Sequence, residues 1–161
     1  MAVLIAVQGP SGSGKTTLIE EVIARLRARG LSVGVMKHAH DGLTLDRRGK
    51  DSQRFWIAGA QAVLVAGPDE LFVRQRCSSG NLAELLGLLP QGLDCVLIEG
   101  FAQQVAAPDL PTSMRVDITP GLVRLNGQPV AREEAAAALE EEVGRCLNRS
   151  PVAERRTGIR P

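Results

Sequence analysis

Between an apolar run and an amphipathic segment the chain carries "GPSGSGKTT", residues 9–17. Glycine gives up more conformational freedom on folding than any other residue, so this spacing marks a backbone path that side chains would block. Gly9, Gly14, Lys15 and Thr16 satisfy G-x-x-x-x-G-K-[ST], the phosphate-binding loop. In such a loop the amides around Gly12, Ser13 and Gly14 turn inward as a nest for phosphate oxygens. The loop then feeds a helix whose first amides, through Thr17, and whose dipole also favour anions. Lys15 is expected to reach the β- and γ-phosphates and the Thr16 hydroxyl to ligate Mg2+. Gly9, Gly12 and Gly14 do not make GxGxxG, so this is not a dinucleotide fingerprint. The ligand it asks for is a nucleoside triphosphate.

That loop requires a strand before it and a helix after it. Val3–Val7 is wholly apolar, as strands covered on both faces tend to be. From Lys15 to Arg29, Leu18, Ile19, Val22, Ile23 and Leu26 fall on one helical stripe, which Gly30 closes. Further strands are expected at Ser32–Lys37, Ala62–Ala66 and "DCVLIEG", with "LFVRQ" an edge strand or hairpin arm after the turn "GPDE". Asp51 or Ser52 is expected to cap a short helix to Ala58, and Asn81 to cap "LAELLGLL". "SMRVDI" and "LVRLNGQPV" read as short strands, the latter broken at Asn126-Gly127, and a helix covers roughly Arg132 to Leu147. Alternating strands and helices mean βαβ units. The expected fold is α/β, of the P-loop NTPase type, a mostly parallel sheet flanked by helices. One nucleotide-binding domain is expected over 1–148, with 149–161 a free basic tail.

The bulk numbers narrow the partners. A net charge of +1 gives no electrostatic case for nucleic acid or a membrane surface. Phe55, Trp56, Phe72 and Phe101 are the only aromatics, too few for a base-stacking platform. Cys77, Cys95 and Cys146 are odd in number and never in a CxxC pair, which fits reduced thiols. The apolar run Ala2–Val7 is too short to span a bilayer and lacks a signal peptide's basic flank. A cytoplasmic setting is expected.

A phosphate loop needs an acid on the metal side. In "DCVLIEG", Asp94 opens the strand, about 15 Å from the ligand edge at roughly 3.3 Å per residue. Glu99 closes it, at the edge where ligands bind in such sheets, and is the expected acid, with Gly100 beside it for close backbone approach. "KHAHDGLTLDRRGKDS" leaves the second strand at that same edge. His38 and His40, two apart, share a face in extended backbone, and Asp41 and Asp46 follow. These groups can be metal ligands, anion contacts or solvated loop side chains, and no third fixed ligand for zinc is identifiable. Lys37, Arg47, Arg48 and Lys50 make the loop basic, which suits an anionic ligand or plain solvation.

"GPSGSGKTTL", "VMKHAHDG", "GKDSQRF", "AGAQAVLVAG" and "DCVLIEGF", in that order, resemble the molybdopterin-guanine dinucleotide biosynthesis protein B (MobB) family over roughly Val3 to Phe101. The resemblance implies a GTP-binding P-loop protein, generally homodimeric, with weak GTP hydrolysis at most. It implies a partner, the molybdenum cofactor guanylyltransferase that joins GMP to molybdopterin, and leaves molybdopterin itself as a further candidate ligand. It also implies Lys15 and Thr16 on phosphate and Mg2+, Glu99 as the metal-side acid, and His38, His40 and the Gly49-Lys50-Asp51-Ser52 turn on the ligand face. This chain departs from the family at Asp41, Arg48 and Ala102. No Asn-Lys-x-Asp guanine reader is present, and Asp117 is a lone candidate for the base. A small-molecule or nucleotide kinase, with Arg74 and Arg76 as lid candidates, is the alternative. A pure assembly module with a structural nucleotide is a third reading.

Overall fold

The computed structural model describes residues 2–39, 49–77, 80–106 and 112–149, Arg149 by its backbone alone. His40, Asp41, Asp46, Arg47, Arg48 and the expected tail beyond Arg149 lie outside the described residues. By backbone contacts the chain divides into two compact units: Met1–His38 with Leu82–Pro161, and Ala39–Asn81.

In the first unit the apolar runs become β1 (Val3–Gln8), β2 (Val33–Lys37) and β5 (Cys95–Glu99), joined by β6 (Met114–Thr119), β7 (Leu122–Leu125) and β8 (Gln128–Val130). They form one sheet in the order β2-β5-β1-β6-β7-β8. The pairs β2–β5, β5–β1 and β1–β6 are parallel, and β6–β7–β8 is an antiparallel meander. The meander turns on Asn126 and Gly127, both at positive φ (50° and 84°), the chemistry expected of an Asn-Gly hairpin.

Strand alternation sends successive side chains to opposite faces, so one apolar run feeds two cores. Ile5, Val7, Leu97, Val116 and Ile118 pack with Leu18, Ile19, Val22 and Leu26 of α1 (Lys15–Ala28). Ala136, Leu139 and Val143 of α5 (Arg132–Arg149) close the same core. Ala6, Val96, Ile98 and Met36 face the other way, against Leu82 of α3 (Leu82–Leu86) and against Phe101 and Val105 at α4 (Ala102–Val105). The α1 stripe buries as its spacing predicts, and Gly30 at φ 76° ends the helix. α3 is shorter than "LAELLGLL" suggests: the Gly87 N–H donates to Ala83 O and Glu84 O, and the turn tightens there.

The second unit holds α2 (Asp51–Ile57) and the antiparallel pair β3 (Ala62–Ala66) and β4 (Leu71–Gln75). "LFVRQ" is therefore a hairpin arm, and the Ala62–Ala66 strand pairs with it rather than with the parallel sheet. The α2 cap differs from expectation. Lys50 is the N-cap without a side-chain cap bond, and Asp51 is already helical. Gly49, at φ 84°, brings the chain in, and its N–H donates to Oε1 of Gln53 at 2.8 Å. The Gln53 side chain, from inside the helix, thus holds the incoming chain, as the reaching-back half of a capping box does.

Candidate functional site

The β1–α1 loop lies at the carboxyl end of the parallel strands. Gly9, Gly12 and Gly14 all take positive φ (151°, 74° and 90°), conformations that L side chains rarely adopt. Gly9 also sits where a Cβ would collide with the Ile118 carbonyl oxygen of β6, so the loop passes hard against its neighbouring strand. Gly12 faces open space. Gly14, left-handed, is the N-cap of α1 and offers no side chain to the orphan amides of its first turn. Those amides are left for a ligand.

Lys15 folds over the loop, its Nζ donating to Gly9 O (2.9 Å) and Pro10 O (2.6 Å). The ammonium is thus held above the nest by carbonyls that a phosphate can replace. Ser13 Oγ is buried without a hydrogen-bond partner, a cost of about 1–3 kcal/mol when left unanswered. A buried hydroxyl, free helix amides and a poised lysine fit a polyphosphate. Thr16 and Thr17, in the first turn of α1, are exposed.

Register places the acid. Glu99 pairs with Val7 of β1 on one side and Lys37 of β2 on the other, at the last rung before the loop. Its carboxylate is largely buried, side-chain exposure 14%, and its Oε2 lies 3.5 Å from Lys37 Nζ. A cation already stands against Glu99, whose carboxylate is a hard oxygen donor of the kind a divalent ion takes. Asp94 is at the far end of β5, where Oδ2 accepts from Ser32 N and Ser32 Oγ, both at 2.7 Å. It ties strand starts together and takes no part in the site.

Gly100 carries a reason that spacing did not reveal. It has φ 87°, and a Cβ there would lie 2.9 Å from His38 Cβ. His38 donates its N–H to Glu99 O (3.0 Å) and its ring lies 4.8 Å from that of Phe101. Sequence reasoning also missed Gln8, the buried last residue of β1, whose Nε2 donates to Gly100 O at 2.6 Å. One amide side chain thereby links the start of the phosphate loop to the end of the acid-bearing strand. The signal was a polar residue ending an apolar strand. Asp117 pairs in register with Gln8, and its carboxylate is bridged by Arg115 Nε at 3.2 Å.

The other expected ligand-face residues belong to the second unit and are described within it. Lys50 and Asp51 border a cavity of about 580 Å³ with Phe55 and Leu64, and Asp51 Oδ1 lies 3.5 Å from Arg54 Nη1. Arg74 and Arg76 stack on one ring, with guanidinium carbons 4.2 and 4.3 Å from the Trp56 centroid. Arg76 also donates to Trp56 O. Both lid candidates are thus engaged with an aromatic neighbour. Among the described residues there is no group of three or more His, Cys, Asp or Glu able to hold a metal, and no helix is long and apolar enough to cross a membrane. Cys77 is exposed, Cys95 buried and Cys146 partly buried, none of them in a disulfide.

A family model described as "Molybdopterin guanine dinucleotide synthesis protein B" matches residues 4–109. A molybdopterin-guanine dinucleotide biosynthesis adapter protein of Haemophilus influenzae is 39% identical over 103 residues, 63% of this chain and 58% of the relative. The Escherichia coli protein of the same description is 34% identical over 111 residues, 66% and 63% of the two chains. This chain therefore spans only about three fifths of the length of these relatives. The crystal structure of Bacillus subtilis MobB superposes with a TM-score of 0.54 at 36% identity, covering 72% of this chain and 67% of that one.

Proposed function

This chain belongs to the molybdopterin guanine dinucleotide synthesis protein B family, and from that premise we propose that it is a GTP-binding accessory protein of molybdenum cofactor biosynthesis. It assists a partner guanylyltransferase in attaching GMP to molybdopterin, works in the cytoplasm as a homodimer, and hydrolyses GTP weakly at most. The observation that carries the reading is the left-handed glycine loop over which Lys15 is folded, with the buried Ser13 hydroxyl inside it. The fold it sits on, a P-loop-type sheet shared with MobB, supports it further.

In this reading the amides from Gly9 to Thr17 bind the phosphate chain. Lys15 exchanges the Gly9 and Pro10 carbonyls for outer phosphate oxygens. Thr16 and Glu99 would hold Mg2+, which when bound neutralises charge on those oxygens. Lys37 then leaves Glu99 and is free to face an anion. Gln8 and Gly100 keep the loop and the acid in register. His38, just past β2 and bonded to Glu99 O, lies on the ligand face, and the domain runs over 1–148. Preference for guanine rests on family membership.

The kinase alternative is not favoured: Arg74 and Arg76 are stacked on Trp56 rather than poised as a lid. The names of the relatives, adapter proteins, point the same way.

Calorimetric titration with GTP and ATP side by side, with and without purified guanylyltransferase, tests the reading. GTP should bind in preference to ATP, and the chain should raise the yield of the guanylyltransferase without replacing it. Lys15→Ala should weaken GTP binding by roughly tenfold or more, since it deletes a charge-assisted contact. Unchanged affinity in that variant contradicts the site.

A further inference from the structure

The first turn of a helix carries the positive end of its dipole and favours acids. α5 has Glu133 and Glu134 there, yet its first residue is Arg132. That guanidinium reaches away from its own helix to α1, with Nη1 3.2 Å from Oε2 of Glu21. Within the same guanidinium group, Nε would lie 4.0 Å from a methyl group placed on Gly14. The guanidinium therefore sits beside the start of α1, close to the last glycine of the phosphate loop and paired with Glu21. Residues 14, 17 and 21 share a helix face at this spacing, and Thr17 on that face is exposed.

We propose that Arg132 is a nucleotide ligand on the α- and β-phosphate side of the loop, held at rest by Glu21. The proposal rests on the reading that the loop seats a nucleotide. Glu21 and Arg132 are both substantially exposed, at 45% and 34%, and an ion pair so hydrated holds its members weakly. A phosphate at the mouth of the loop offers the guanidinium a forked, charge-assisted pair, which is stronger and better matched in shape. Loop amides cradle the inner phosphates while the loop lysine serves the outer ones. A cation beside Gly14 thus complements Lys15 rather than duplicating it. Arg132 lies beyond residues 4–109, so a segment outside the family match completes the site.

The test is calorimetry of GTP and GDP binding to the unaltered chain, Arg132→Ala, Arg132→Gln and Glu21→Gln, with melting curves as the fold control. Arg132→Ala should weaken GTP and GDP by the same factor, roughly fivefold to tenfold, the scale of one charge-assisted pair. Glu21→Gln should tighten both, because it frees the arginine. If Arg132→Ala does not fold, Arg132→Gln, which keeps much of the stem, carries the same expectation. Unchanged affinity in the arginine variants, or a loss confined to GTP, overturns the assignment. Failure of the unaltered chain to bind either nucleotide overturns the phosphate-loop reading itself, and the assignment with it.

Discussion

The two units solve the problem of a β-sheet's faces differently. In the first, helices cover both sides of the central parallel strands, and Ile5, Ile98, Val116 and Leu139 are at most 1% exposed. In the second, Val63 is the one described residue in the buried hydrophobic core, while Phe55, Ile57, Leu64 and Leu71 are 60–74% exposed. A lone two-stranded hairpin is marginal in water, and an apolar surface of this kind marks an interaction site. The first unit can hold a loop firmly because the strands and helices that carry it are packed into a core. The second has surface to offer and little core of its own, which suits the proposed contact between two copies of the chain.

The largest effect that sharpens this contrast comes from the same substitution in each unit. Gly9→Ala drives a Cβ into the Ile118 carbonyl at a left-handed φ, and should cost roughly 3 kcal/mol or more of stability, strain and overpacking together. Gly59→Ala, at φ 106° with nothing within 4 Å, should cost about 1–2 kcal/mol from strain alone. Urea denaturation monitored by circular dichroism distinguishes them, and equal losses would break the comparison. Next, the double change Leu64→Lys and Leu71→Lys should convert a dimer to monomer in sedimentation velocity while leaving GTP affinity within about twofold, because charge is costly at an apolar interface core. A dimer that survives it uses another surface. The smallest effect is chemical. Burial, with Asp94 adding to it, pushes the Cys95 thiol up to about 12, whereas Cys77 is exposed. A thiol reagent at pH 8 should label Cys77 readily and Cys95 only on unfolding. Rapid native labelling of Cys95 would mean the first unit opens far more often than its packing allows.

Much of this was legible from local patterning. The phosphate loop, the α1 stripe, the Asn126-Gly127 turn and the end-of-strand position of Glu99 are each set by near neighbours. What was not legible depends on distant contacts. Nothing in "AVLVA" says that Ala62–Ala66 leaves the parallel sheet to pair with Leu71–Gln75, because a short apolar run is compatible with either. α2 starts earlier than a capping Asp51 or Ser52 implies, with Lys50 at the cap and the chain held on entry by Gln53 bonding back to Gly49. The Gln8–Gly100 bond joins residues 92 apart, and Arg132 meets Glu21 across 111 positions. Neither separation leaves a mark in the local sequence.

The central claim is that the backbone between Gly9 and Thr16 receives a nucleotide's phosphates at the carboxyl rim of the parallel sheet. A crystal structure with a non-hydrolysable GTP analogue and magnesium tests it most directly. The expected result is phosphate oxygens on the loop amides, Lys15 Nζ moved from Gly9 O and Pro10 O onto the outer phosphates, and the metal beside Thr16 and Glu99. Phosphates seated elsewhere, or a lysine still bound to its own loop, would contradict the account.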